Sequence, residues 1–194
     1  MRPKALALGG LLGGLTLFCW SFVSHMPPIG TWGYAAVATE KDAPVLAALR
    51  RAMDRRAIYF LPRVDVHATT EAQREWTARF EAGPSAVVLF DPRPGQRAIA
   101  GSVFAGQLIT ELVTAILSAA LGAAIALGLS SALGYWPRAL LLAAIGAIAT
   151  IDVDASYWSW YGIPTVFLLG QFIDHVGGWF LAGLVLARVC RPAG

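Results

Sequence analysis

The chain is short of charge and short of cysteine. Asp, Glu, Lys and Arg make up 14% of its 194 residues, where a soluble domain carries about 25%. With 57% hydrophobic residues and a mean hydropathy of +0.60, that shortage argues against a water-soluble enzyme and for an integral membrane protein. The formal net charge of +3, scattered over 15 basic and 12 acidic residues, supplies no basic face for nucleic acid. Cys19 and Cys190 lie near the outer ends of the first and last apolar runs. In a four-span arrangement they fall on opposite membrane sides, too far apart for a disulfide, and neither has metal-ligand company. Nucleotide-binding GxxxxGK[ST] and GxGxxG, hydrolase GxSxG, zinc-binding HExxH and the CxxC and CxxCH patterns are all missing. The expectation is a non-enzyme with no catalytic residue and no metal site.

Long apolar runs are present instead. Residues 5–23 follow Arg2 and Lys4 without a charge. Because the run starts close to Met1 and ends without a small-residue cleavage site, it is expected to be a first span (1–23) and not a signal peptide. Gly9 and Gly13, with Gly10 and Gly14, form two overlapping GxxxG pairs, a face that another helix backbone can approach closely. Residues 103–133 form a second run, polar near its start at Gln107, Thr110, Glu111, Thr114 and Ser118 and rich in small residues after that. Residues 139–151 are short for a span. Counted from Tyr135 they just cross, or the helix continues past Asp152 to the aromatic cluster Tyr157, Trp158, Trp160 and Tyr161. Residues 164–187 are apolar except for Gln171, Asp174 and His175, and at 1.5 Å per residue they reach roughly 36 Å, enough to cross a bilayer.

That last run carries the sharpest signal. An ionised carboxylate at the position of Asp174 costs at least ~2.5 to 3.5 kcal/mol in hydrocarbon, so it must face protein. Gly170, Asp174 and Gly178 share one face, and Gln171, His175 and Gly178 share its neighbour, so a polar stripe runs beside a small-residue groove that includes Gly177. Two uses are open. The stripe can lock helices together, or Asp174 and His175 can relay protons with Glu111, Thr114 or Ser118. The half of each run beyond Val176 and beyond Leu121 offers almost no polar group to continue a path, which favours locking. His175, with room for a flat ring beside Gly177 and Gly178, is also the place where a haem or chlorophyll-type pigment would be ligated; the expectation is no cofactor. Asp152 and Asp154 could hold a surface cation or simply lie in water. The aromatic cluster reads as an interfacial belt and as a surface for docking another membrane subunit.

The segment 24–102 is different in kind. Residues 24–101 carry ten of the basic and eight of the acidic residues. Asp42 is expected to cap a helix with Val45, Leu46, Leu49, Ala52 and Met53 on its apolar stripe and Arg50, Arg51, Arg55 and Arg56 on its polar face. That basic face is either solvated or bound to anionic headgroups or an acidic partner. AIYFL (57–61) reads as a strand. Thr70 with Gln73 opens a second helix that presents Ala72, Trp76 and Phe80 and stops at Gly83 and Pro84. SAVVLF (85–90) is a second strand, closed by Asp91 to Gly95. Strand, helix and strand suggest a small α/β lobe with parallel strands.

The fold class is therefore membrane all-α: four transmembrane helices, the first at 1–23 and three within 103–190, then a tail at 191–194, with a small extracytoplasmic α/β lobe inserted between helices 1 and 2. Arg2, Lys4, Arg138, Arg188 and Arg191 fall on one side of such a plan, which the positive-inside rule makes cytoplasmic. Both termini would then be cytoplasmic and the lobe periplasmic, in a bacterial inner membrane. An opening like LGGLLGGLTLFCWSFVSH, a lobe with IYFLP and GPSAVVLFDPR, and an ending like YWSWYGIPTVFLLGQFIDHVGGWFLAGLVLA resemble bacterial four-span membrane proteins to which no activity is attached. The plan is also similar to that of extra subunits of respiratory complexes and photosynthetic reaction centres. Such a resemblance implies membrane lipids and other membrane subunits as partners. The functional expectation is a non-catalytic accessory subunit that stabilises a larger complex, with a small proton-coupled transporter using Asp174 and His175, or a pigment-binding subunit, as alternatives.

Overall fold

The computed structural model describes residues 3–63, 65, 67–94, 101–129 and 132–191. Arg2, Gly95 and 192–194, which entered the expectations above, lie outside them. In chain order the elements are α1 (Pro3–Ser24), a 3-10 turn (Ile29–Thr31), α2 (Thr39–Ala52), β1 (Ala57–Leu61), α3 (Thr70–Ala82), β2 (Ala86–Phe90), α4 (Gly101–Gly128), α5 (Tyr135–Ala149), a π-helical turn (Thr150–Asp154), α6 (Ala155–Tyr161) and α7 (Thr165–Val189). The chain divides into two compact units, a helical bundle (1–35 and 99–194) and a lobe (Ala36–Ala98), so residues 24–35 go with the helices.

Four stretches of the bundle are long and apolar enough to cross a membrane: Pro3–Ser24, Gly101–Gly128, Tyr135–Tyr161 and Thr165–Val189. The third is the longer of the two forms open from sequence. α5 passes through the π turn straight into α6, so the aromatic cluster is helical and not part of a loop. The turn at Gly162 then ends it in a left-handed conformation, φ +67°, that glycine adopts without strain, and Pro164 precedes α7.

α1 runs antiparallel to α4 and to α7, and α5 runs antiparallel to α7. The glycine face of α1 lies on α4. A Cβ added to Gly10 would meet that of Ala120 at 3.0 Å, one at Gly13 would meet that of Ala119 at 3.1 Å, and one at Gly14 would strike the Ile116 backbone at 2.5 Å. The core formed here is built of Ala123, Ala126, Leu142, Leu186 and Cys190, all fully buried. Cys190 Sγ points to the Ala5 carbonyl at 3.5 Å. Cys19 stands fourteen residues further along α1, roughly 21 Å away, and both thiols are free.

The lobe contains one two-stranded sheet, and its strands are antiparallel, not parallel: Ala57 pairs with Phe90 and Leu61 with Ala86. A lone parallel pair needs helices over both faces and forms weaker, slanted bonds, so a two-stranded sheet in so small a unit gains from the antiparallel ladder. One residue beyond that ladder, Arg56 lies 3.6 Å from Asp91, and Arg93 binds the same carboxylate at 2.7 Å. Those guanidiniums hold the Asp91 carboxyl down to about 2, Arg93 acting first through its hydrogen bonds. Local details also shift. α2 begins at Thr39, so Asp42 lies in its first turn instead of capping it, and it stops at Ala52, leaving Arg55 and Arg56 off the helix. The cap of α3 is Thr69, whose hydroxyl accepts from the Ala72 amide at 3.4 Å, while Gln73 reaches back to the Ala68 carbonyl at 3.1 Å. Trp76 and Phe80 do share a face, their rings 5.5 Å apart.

Candidate functional site

The polar stripe of α7 bonds to α1 on one side and to the turn after α5 on the other, and shares a cleft with Glu111 of α4. Asp174 accepts a very short hydrogen bond from the Ser24 hydroxyl at the end of α1, and its main-chain carbonyl accepts from the Trp20 indole at 2.8 Å. On the other side, His175 Nδ1 lies 3.1 Å from Asp154 Oδ2 and 3.2 Å from Thr150 Oγ1. The Thr150 hydroxyl also lies 3.2 Å from the Gly146 carbonyl, to which it donates. Nε2 is left 4.0 Å from Asp174 Oδ2.

Thr150 and Asp154, four residues apart across the π turn, share the helix face that is turned toward His175. Asp152 is exposed while the Asp154 side chain is only 13% exposed, so the two do not form one surface cation site. α5 itself comes so close to α7 here that a Cβ at Gly146 would overlap the His175 carbonyl. Gly177 and Gly178 receive the Trp20 indole, with ring atoms 2.7 and 2.9 Å from where a Cβ would stand. The room for a flat ring beside His175 is thus occupied by a side chain of the protein. Gly170 faces Ile29 and Trp32 of the 3-10 turn and its cap.

Glu111 joins from α4. Its Oε1 accepts from the Ser21 hydroxyl at 3.2 Å, and the carbonyl of Ser21 accepts from His25 Nδ1 at 2.8 Å. Thr114 spends its hydroxyl on the carbonyls of Thr110 and Glu111, each 3.0 Å away. Between α4 and α7 lies a cleft of about 610 Å³ whose lining includes Glu111, Gln171, Asp174 and His175, together with Gln107 and His25. All four members of the polar cluster expected from sequence therefore line one cavity. The lining ends at Leu17, Ser118 and Trp179. Trp179 closes over α4 at Gly122, and the apolar core follows.

The aromatic residues of α6 are exposed, Trp160 by 82%. The rings of Tyr157 and Tyr161 lie 5.3 Å apart at a 51° tilt, and the Trp158 indole donates to Thr165 Oγ1 at 3.1 Å, tying α6 to the start of α7.

Arg138 is the site residue that sequence reasoning missed, because it was taken only as a topology marker. It is 4% exposed and donates to the carbonyls of Ala187 (3.2 Å), Cys190 and Ala126 (3.5 Å). Those carbonyls end α7 and α4 and have no partner within their own helices, and the negative end of a helix dipole favours a cation. Ser24, Trp20 and Thr150 were also missed, and Asp154 was read only as a surface acid beside Asp152. An Asp four residues after a Thr in an otherwise apolar run was the one available signal.

Comparison of the chain with protein-family models, with curated proteins and with solved structures finds no match.

Proposed function

We propose that this chain is a non-catalytic integral membrane protein, an accessory subunit that packs against and stabilises a larger membrane complex, with the Asp174 and His175 pair as its internal clasp. One observation carries the reading: the two adjacent residues bind in opposite directions, Asp174 to α1 through Ser24 and Trp20, and His175 to the turn after α5 through Thr150 and Asp154. A pair spent on neighbours on both sides is suited to fixing helix positions. Lys4, Arg138, Arg188 and Arg191 belong to the end of the bundle where α1 and α5 begin and α7 stops, which supports a cytoplasmic orientation for that end. Large outward side chains on α4 (Leu117, Leu121, Ile125) and on α6 (Trp160) suit lipid or another subunit. Gentle solubilisation followed by mass measurement tests the proposal. A particle heavier than one chain plus detergent is expected, and a stable monomer overturns it.

A second reading, a small proton-coupled transporter, draws on the shared cleft lining of Glu111, Asp174 and His175. Against it stands the apolar plug beyond Trp179. Asp174→Asn distinguishes the two, since it abolishes flux in a transporter and weakens only packing or assembly in a clasp. An absorbance spectrum of the purified chain, expected to show the protein band alone, tests the pigment alternative.

A further inference from the structure

We propose that the outward groove between α1 and α7 binds one anionic phospholipid, with an acyl chain in the groove and the phosphodiester head at Arg188 and Lys4. This rests on the reading of the chain as an integral membrane protein and names a lipid class and a place for it; it does not need the accessory role.

The groove has a volume of about 580 Å³, and its walls include Leu12, Leu15 and Val23 of α1 and Leu181 and Val185 of α7. The hydroxyl and the indole along it are already used, Thr16 donating to the Leu12 carbonyl at 2.8 Å and Trp20 to the Asp174 carbonyl at 2.8 Å. What stays open is apolar and suits an alkyl chain. From Leu12 to Val23 the groove follows α1 for roughly 17 Å, about half of a ~30 Å hydrocarbon core and so one leaflet deep. Spread over that length, its mean cross-section is roughly 35 Å², less than half of the ~80 Å² of a helix 10 Å across, so the slot takes a chain and not a partner helix.

The docking of α1 puts the groove in the half of the bilayer next to Arg188. Gly9 faces Leu186 and Cys190, Gly13 faces Leu186, and Gly178 receives Leu17 and Trp20, so residues 9–20 cover the second half of α7. Its first half is met instead by Trp32 at Gly170 and by Tyr34 at Phe167. Leu181, Val185 and Arg188 follow at i, i+4 and i+7 on one face of α7, and Lys4, Leu8, Leu12 and Leu15 at i, i+4, i+8 and i+11 on one face of α1. The groove therefore runs out toward two exposed cations. The Tyr135 hydroxyl donates to the Leu184 carbonyl at 3.0 Å, which sets an aromatic residue of the kind favoured at headgroup level one residue from Val185.

Charge selects the head. The described Lys and Arg of the bundle, Lys4, Arg138, Arg188 and Arg191, belong to this end, and its described acids, Glu111, Asp152, Asp154 and Asp174, belong to the other. Lys4, Arg188 and Arg191 are exposed, and among the described residues none of them pairs with a carboxylate. Arg138, turned to helix-end carbonyls, adds a further charge without a counter-ion to the same end. A phosphodiester is the anion that a bilayer supplies at this level, and arginine binds it through paired N–H bonds. A zwitterionic head brings its own ammonium and gains less.

The test uses the full chain in a neutral sugar detergent, equilibrated with phosphatidylglycerol and phosphatidylcholine of the same acyl chains at equal micellar fractions and examined by native mass spectrometry. One retained phosphatidylglycerol per chain is expected, at roughly tenfold the occupancy of phosphatidylcholine or more. Arg188→Gln should lower phosphatidylglycerol occupancy roughly tenfold, toward that of phosphatidylcholine, as loss of a charged hydrogen-bond partner does. Val185→Trp, which fills the slot and keeps every cation, should lower the retention of both lipids. Equal wild-type retention of the two lipids, or retention of neither, overturns the proposal. Undiminished phosphatidylglycerol binding in either variant overturns it as well. Should Val185→Trp fail to fold, the wild-type preference and Arg188→Gln, an exposed site in the last turn of α7, still decide. A monomer that keeps its lipid counts against the accessory role alone, and a heavier assembly without lipid counts against this proposal alone.

Discussion

The two halves of the bundle are made from the same helices and have opposite characters. Toward the end marked by Lys4, Arg138 and Arg188, small residues dominate: Gly9, Gly10, Gly13 and Gly14 of α1 lie on Ala119, Ala120 and Ala123 of α4, and the backbones come into contact. Toward the end marked by Asp154, Asp174 and Glu111 the side chains are longer and polar, and a cleft of about 610 Å³ remains. Without a hydrophobic driving force between helices in lipid, association depends on close packing and on hydrogen bonds. The α1–α4 seam uses the first means, and the side of α7 that carries Asp174 and His175 adds the second, with α5 still packed closely at Gly146. The lesson is that a glycine face closes the α1–α4 seam, while the longer polar side chains of α4 and α7 leave a cavity beside it.

The largest way to break this contrast is at the closed end. Arg138→Ala leaves the carbonyls of Ala126, Ala187 and Cys190 without their donor. With each buried unsatisfied group costing about 1 to 3 kcal/mol, a loss of ~3 kcal/mol or more is expected in mixed-micelle unfolding followed by circular dichroism. Arg138→Lys should recover only part, because one ammonium cannot reach three carbonyls as a planar fork does.

Next comes overpacking. Gly14→Ala puts a Cβ 2.5 Å from the Ile116 backbone and is expected to cost about 1 to 3 kcal/mol in the same assay. Gly106→Ala, in the open half with nothing within 4 Å, is expected to be neutral or stabilising by up to about 1 kcal/mol. Equal costs at the two positions would show that the halves are packed alike.

Asp174→Asn sharpens the polar half. It weakens the bond from Ser24 and removes the charge beside His175 but leaves the Trp20 bond to the main chain, so a loss of about 1.5 kcal/mol is expected. The smallest effect lies in the lobe. Asp91, depressed to about 2, stabilises the fold fully above its ordinary value of 3.8, and the contribution is lost as pH falls through about 2. Arg93→Ala should move that loss to higher pH, visible as earlier amide exchange in β1 and β2 on acidification, with little change at neutral pH.

Much of the candidate site was legible in advance. Asp174 had to face protein because of the cost of a carboxylate in hydrocarbon, and it does; Glu111, Gln171 and His175 line the same cavity. The partners were less legible. Ser24 and Trp20 are ordinary residues in a span, and only the antiparallel docking of α1 on α7 brings them to residue 174. Asp154 read as a surface residue because it lies beyond the point where a third span counted from Tyr135 ends, and nothing in composition marks the helix that carries on through it. In the lobe the strand positions were readable from β-branched and aromatic residues, but the direction of pairing was not, since a helix between two strands serves a parallel or an antiparallel return.

What the sequence by itself determined is local: the four apolar lengths, the glycine face, the polar stripes and the charge-rich insert, all set by composition and by the 3.6-residue period along one element. What only the tertiary structure decided is which of those faces meet. That choice put one imidazole between two carboxylates and one arginine at three helix-end carbonyls, because hydrogen bonds between elements depend on helix direction and crossing, which no single segment encodes.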